Sequence, residues 1–105
     1  SEEAKLMFKA IILLKRRQDM SLAEFEAWWI GQHAPLARQL PGVRHITFNL
    51  AQDGAPFDGV SELWFDSQAD FTAAYETDLG KSVAADSMAH VSDRQRLLVT
   101  EHTIL

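Results

Sequence analysis

From Lys5 to Lys15 the chain reads KLMFKAIILLK, with Leu6, Phe8, Ala10, Ile12 and Leu14 on one alternating set and Met7, Ile11 and Leu13 on the other. Successive side chains of a strand point to opposite faces, so a run that is apolar on both sets belongs inside a sheet that is covered on each side. Such a strand is paired along both edges, and the remaining segments must supply its neighbours. The basic pair Arg16 and Arg17 ends the run; it has the charge to hold an anion, and simple solvation explains it as well.

A helix follows. Ser21 with Glu24 three residues on is a capping box, and Met20 is placed for a hydrophobic staple. Leu22, Phe25, Trp29, His33, Leu36 and Leu40 recur at helical spacing, which puts His33 on the packing side. Trp28 and Trp29 are adjacent and diverge around the helix, so Trp29 is assigned to the sheet and Trp28 to the second helix or a subunit contact. Pro35 lacks an amide proton and crowds the preceding turn, so a kink, or a stop and restart, is expected between Gly31 and Ala34. Pro41 and Gly42 then end the element.

Val43 to Leu50 alternates polar and apolar positions, as a strand near a sheet edge does. AQDGAPFDG is loop by composition, either surface slack or a rim over a pocket. Val60 to Phe65 is a further strand, with Glu62 and Trp64 on one side. Ser67 and Asp70 start a second helix that packs through Phe71 and Ala74 or Tyr75. It breaks near Asp78 to Gly80 and resumes from Lys81 to Val91, using Val83, Ala84, Met88 and Val91 for contact. Arg96 to Leu105 reads as the last strand.

The order strand, helix, strand, strand, helix, strand predicts an α+β, ferredoxin-like βαββαβ fold: a four-stranded antiparallel sheet with helices on one face and the second helix broken in two. The first and third strands fall in the middle of that topology. The other sheet face still needs cover, which Met7, Ile11, Leu13, Trp64 and Val99 would provide by meeting a second copy, giving a homodimer through the sheet face. A single domain spanning 1–105 follows from the length.

Composition narrows the function classes. There is no cysteine, which excludes thiolate nucleophiles, thiolate metal sites and disulfides and fits a cytoplasmic setting. The net charge of −5 argues against nucleic acid as a partner. No stretch has the roughly 20 apolar residues of a membrane span, and no secretory leader is expected. The four histidines form no HExxH or similar pattern, and the five glycines no phosphate-binding or dinucleotide fingerprint, so neither metal nor cofactor is expected.

KLMFKAIILLKRRQDMSLAEFEAWWIGQHAPLARQLPGVRHITFNL, with its HAP element at His33 to Pro35 and LPG at Leu40 to Gly42, followed by GVSELWFDS from Gly59 to Ser67, resembles the EthD family of small dimeric α/β-barrel proteins. The resemblance spans almost the whole chain and rests on the order and spacing of these motifs. It implies that the sheets of two subunits close into a dimeric α/β barrel with a hydrophobic pocket in each subunit. The wider superfamily includes polyketide cyclases, muconolactone-type isomerases and cofactor-free monooxygenases. The family name comes from genes associated with ether degradation.

The same resemblance marks His33 as the pocket histidine. An imidazole can take and return protons near neutrality, but a histidine beside a proline can equally serve to satisfy backbone groups that the proline leaves free. Phe25, Trp29, Leu36, His45, Glu62, Trp64, Tyr75 and His102 are the candidate ligand-binding residues around it, Glu62 requiring a His or Arg partner if it is buried. His90 is expected to be ordinary surface. The function expected is a cofactor-independent pocket enzyme that moves a proton on a small hydrophobic or aromatic carbonyl or phenolic compound, as an isomerase, cyclase or monooxygenase. The alternative is a non-catalytic binding or accessory protein with the same pocket.

Overall fold

The computed structural model describes residues 7–105, so Lys5 and Leu6 of the expected first strand lie outside the described residues. Strands β1 (Phe8–Arg16), β2 (Val43–Leu50), β3 (Gly59–Phe65) and β4 (Val91–Thr100) form one antiparallel sheet in the order β2-β3-β1-β4. The doubly apolar β1 thus lies inside the sheet, between β3 and β4. Helices α1 (Leu22–Trp28), α2 (Ala34–Ala37), α3 (Gln68–Glu76) and α4 (Asp78–His90) complete a ferredoxin-like βαββαβ chain.

The helices cover one face. Ala10, Ile12 and Leu14 of β1 and Ser61, Leu63 and Phe65 of β3 are buried beneath them, together with Phe25, Trp28 and Trp29 of the first helical unit and Phe71, Ala74 and Val83 of the second. The intervening residues Lys9, Ile11, Leu13, Val60, Glu62 and Trp64 are half-buried on the opposite face. Closure of the sheets of two subunits into a barrel, expected from the family resemblance, is overturned. The four strands form an open sheet that ends at β2 and β4. The outer strands are poor templates for further pairing: β2 is bulged between Val43 and His45, and β4 carries the exposed polar residues Ser92 and Asp93 after its first residue.

The capping box forms as expected, Glu24 N donating to Ser21 Oγ at 3.1 Å and Ser21 N to Glu24 Oε1 at 2.8 Å. Neither of the two expected outcomes at Pro35, a kink or a restart, describes the path fully. Residues Trp29–His33 adopt a π-helical turn in which Ala34 N donates to Trp29 O, five residues back, and α2 continues from it with Pro35 in its first turn. One extra residue is absorbed without leaving right-handed helical geometry, and such turns recur at functional sites. The stop is a type II turn: Val43 N reaches Leu40 O at 3.4 Å across Pro41 and Gly42, and Gly42 has the positive φ of 80° that this turn requires.

Three further expectations shift. β4 begins at Val91, directly after α4, and ends at Thr100, rather than running from Arg96 to Leu105; an edge strand tolerates the polar residues that hid its start. Met88 is 63% exposed, and Ser87 takes the inward position beside Val83. Arg16 and Arg17 are both engaged within the chain, Arg16 with Asp58 and Met20 O and Arg17 with Asp19 and Ala89 O. The Arg16 contact ties the loop after β2 to the end of β1.

The break between α3 and α4 depends on a close approach. Thr77 is extended, its hydroxyl accepts from Gly80 N at 3.0 Å, and Gly80 lies so near α3 that a Cβ there would meet Ala74 O at 2.1 Å and Tyr75 Cα at 2.5 Å. Gly31, on the outer side of the π-helical turn, has nothing within 4 Å of such a Cβ. Gly80→Ala is therefore expected to destabilise the fold by about 2 kcal/mol or more through backbone displacement. Gly31→Ala should be neutral or stabilising by up to about 1 kcal/mol. Urea denaturation of the two variants beside the parent measures both, and equal midpoints for all three would contradict the packing described.

Candidate functional site

The π-helical turn rotates His33 under the helices. The residue is 5% exposed, its ring wedged between Trp28 (ring centroids 5.1 Å apart) and Phe48 of β2 (6.1 Å). Nδ1 lies 2.8 Å from Asp86 Oδ2, and Nε2 lies 3.3 Å from Ser87 Oγ, both on α4. An ionised carboxylate only accepts, so Nδ1 carries the proton and Nε2 presents a lone pair, toward which the Ser87 hydroxyl donates. Trp28 Nε1 donates to the same Asp86 oxygen at 3.1 Å, and the Trp28 ring stacks on His90 at 4.3 Å. His90, expected at the surface, is instead a half-buried wall of the site, with Nδ1 donating to Asp86 O at 2.7 Å.

His33 borders an interior cavity of about 20 Å³ between the sheet and the helices. Trp29, Phe48, Tyr75, Ser61, Ser87 and Arg94 are among its other lining residues. A larger open groove of about 580 Å³ runs outside, between the first helical unit and β2, and is lined by Ile30, Ala34, Arg38, Arg44, His45 and Phe48, among others. Phe48 borders both spaces.

Residues 17–95 match the EthD domain family. The chain belongs to that family. A curated relative, an uncharacterized 11.0 kDa protein of Rhodococcus erythropolis, is 28% identical over 94% of this chain and 99% of its own length. An ethyl tert-butyl ether D (EthD) family protein of Bacillus halodurans superposes with a TM-score of 0.80 at 26% identity, covering 91% of this chain and 99% of that one. A hydroxynitrile lyase from Passiflora edulis shares the fold with a TM-score of 0.75 at 15% identity, over 96% of this chain and 98% of that one.

Within this EthD domain the nine expected site residues divide into separate groups. His33, Trp29 and Tyr75 meet at the cavity. Phe25 is fully buried behind them against Trp28 and Trp29, and half-buried Leu36 packs on the same core without lining the cavity. Glu62 and Trp64 are on the open face of the sheet. There the partner of Glu62 is Lys9, neither His nor Arg: Lys9 Nζ bridges Glu62 and Glu101 at 3.0 Å each, Thr47 Oγ1 donates to Glu62 at 3.0 Å, and Trp64 Nε1 donates to Glu101 at 2.7 Å. His45 packs on Trp64 at 4.8 Å and also borders the outer groove. His102 is exposed beyond β4.

Asp86, Ser87 and Phe48 were not anticipated. The four-residue spacings of Val83 with Ser87 and of Asp86 with His90 were the available signal, obscured by assigning Met88 inward. Among the described residues no cluster of three metal-ligating side chains forms, and no helix is long and apolar enough to cross a membrane.

Burial holds the His33 pKa below its ordinary value of 6.5, although Asp86 acts in the opposite direction. His33 is therefore neutral at pH 7, with a usable base at Nε2. A hydroxyl, imidazole and carboxylate in line also resemble the parts of a nucleophilic triad, but Ser87 is a buried residue of the last turn of α4 and is next to the carboxylate residue Asp86 on the same helix. Burial also raises the Tyr75 phenol, keeping it protonated.

A histidine that resists protonation when folded makes the unfolded state the better proton binder. The associated stability is complete above pH 6.5 and is lost as pH falls from there through the lowered folded value. In an NMR titration His33 should show a midpoint below 6.5, and Asp86→Asn should lower it further by removing the group that favours the charged ring. A His33 midpoint above 6.5, or a rise on removing the carboxylate, would contradict this electrostatic assignment.

Proposed function

We propose that this EthD domain is a cofactor-independent enzyme that transfers a proton on a small hydrophobic or aromatic carbonyl or phenolic compound, with His33 as its base. The observation that carries this reading is the orientation of the imidazole: Nδ1 is held by Asp86, and Nε2 presents its lone pair beside the cavity, with only the Ser87 hydroxyl, 3.3 Å away, to be displaced. In the reaction Nε2 takes a proton from carbon or oxygen of the substrate, and Asp86 stabilises the imidazolium that results. Isomerisation and cyclisation return that proton at another atom; oxygenation would pass the electrons of the substrate anion to dioxygen. The hydroxynitrile lyase of the same fold supports the scaffold as a carrier of catalysis and leaves the reaction open.

Trp29 and Tyr75 would contact the substrate within the cavity, and His45 would contact it in the outer groove. Because the cavity itself is only about 20 Å³, a substrate enters by displacement of Phe48, which joins the cavity to the groove. That small volume also favours the second reading, in which His33 and Asp86 fasten the helices and the groove alone binds ligand.

The open sheet face completes the proposal. Ile11, Leu13, Val60, Leu97 and Val99 form an apolar area next to the Lys9, Glu62 and Glu101 network, and Leu97 is 51% exposed. A second copy covering this face gives a homodimer and removes the patch from water.

Two measurements test these statements. His33→Gln should reduce turnover of an enolisable ketone or phenol by about 100-fold or more while the melting temperature and ligand affinity change little. Unchanged turnover would remove His33 from the chemistry, and loss of folding would favour the fastening role. Leu97→Glu should convert the dimer to monomer in sedimentation equilibrium, and an unaltered mass would place the subunit contact elsewhere.

A further inference from the structure

Two residues that line the His33 cavity each carry an unmatched donor. Trp29 Nε1 and Arg94 Nε are both buried, and neither has a hydrogen-bond acceptor among the described residues. Both residues line the same cavity as His33. A buried N–H without an acceptor is costly, about 1 to 3 kcal/mol and more for a charged group, so two of them at one small space need a common explanation.

Arg94 strengthens the case because it is a cation with no carboxylate partner among the described residues. It projects from β4 opposite Leu14, onto the helix-covered side. The titratable groups around it are the Tyr75 phenol and the Arg96 guanidinium, with His33 also within its influence. Arg96 packs over the Phe71 ring at 5.4 Å and supplies no negative charge. Arg94 is half-buried, and its buried Nε, beside a neutral imidazole and a protonated phenol, favours an incoming anion.

We infer that the His33 cavity is an anion site in which Arg94 and Trp29 hold the oxygen of a phenolate or enolate, its ring or chain directed past Phe48 into the outer groove. This deepens the proton-transfer reading and rests on it for the source of the charge: the proton leaves the substrate for His33 Nε2, and the electron pair left behind is stabilised on the oxygen facing Arg94. The substrate class narrows accordingly to phenols and enolisable ketones. Apolar compounds without an acidic proton would enter the groove and gain nothing from the cavity.

The probe is 4-nitrophenol, whose neutral and ionised forms absorb at different wavelengths, with nitrobenzene as its uncharged counterpart. On binding to the parent protein, 4-nitrophenol should ionise at lower pH than it does in buffer. Arg94→Gln should weaken phenolate binding by about tenfold or more, leave nitrobenzene binding within about twofold, and abolish the shift in ionisation. Arg94→Lys, which keeps the charge and loses the planar fork, should fall between the two and serves if Arg94→Gln does not fold. His33→Gln should retain the phenolate, so a failure of the proton-transfer reading can be told from a failure of the anion site. The inference is overturned if the parent binds no phenolate, if it shows no shift in ionisation, or if a folded Arg94 variant binds phenolate as tightly as the parent.

Discussion

One carboxylate ties the two helical units together. Asp86 of α4 accepts from Trp28 Nε1 at the end of α1 and from His33 Nδ1 in the π-helical turn. Both donors are on buried side chains, and without Asp86 each would lose its acceptor in a medium that penalises unpaired polar groups. The same contact orients the imidazole, fixes its tautomer and holds Trp28 against His90. The packing of the first helical unit on the second and the orientation of the His33 ring are therefore aspects of one arrangement.

The sheet separates two environments. On the helix side, aromatic rings surround a small cavity in which His33, Tyr75 and Arg94 are desolvated, and burial moves each of their pKa values toward the uncharged form. On the open side, Lys9 is flanked by Glu62 and Glu101, and hydrogen bonds and charge act in the opposite sense: the Lys9 partner and the Thr47 hydroxyl hold Glu62 below the usual carboxylate range. The first environment suits a group that changes its proton during a reaction, the second a permanently charged network set into an apolar face. Phe48 and His45, three positions apart and of opposite orientation in β2, connect the helix-side site with the outer groove and the open face.

Much of the fold was legible because it depended on local pattern. The double alternation of β1 gave an interior strand, Ser21 with Glu24 gave the helix start, and Pro41 with Gly42 gave the turn. The divergence of Trp28 and Trp29 gave their separate targets, α4 and the sheet. What failed depended on partners distant in sequence. The start of β4 is masked by polar residues that an edge strand permits, nothing local to His90 announces Trp28 beside it, and Lys9, which pairs with half-buried Glu62, is 53 positions away in the chain. Barrel closure, inferred from resemblance, yielded to a sheet with two free outer strands.

By itself the sequence determined the ferredoxin-like order of elements, the middle position of β1 and the inward direction of His33, because side-chain alternation and helical periodicity act within a few residues. Only the tertiary structure decided what surrounds that histidine. Asp86 and Ser87 come to it from more than fifty positions away, Arg94 from the sheet edge, and Glu62 and Trp64 are removed to the opposite face. The alternation of a strand establishes that two residues share a face; which face meets the helices is settled by the packing of the whole chain, and that choice made His33 part of a cavity with Arg94 and Tyr75.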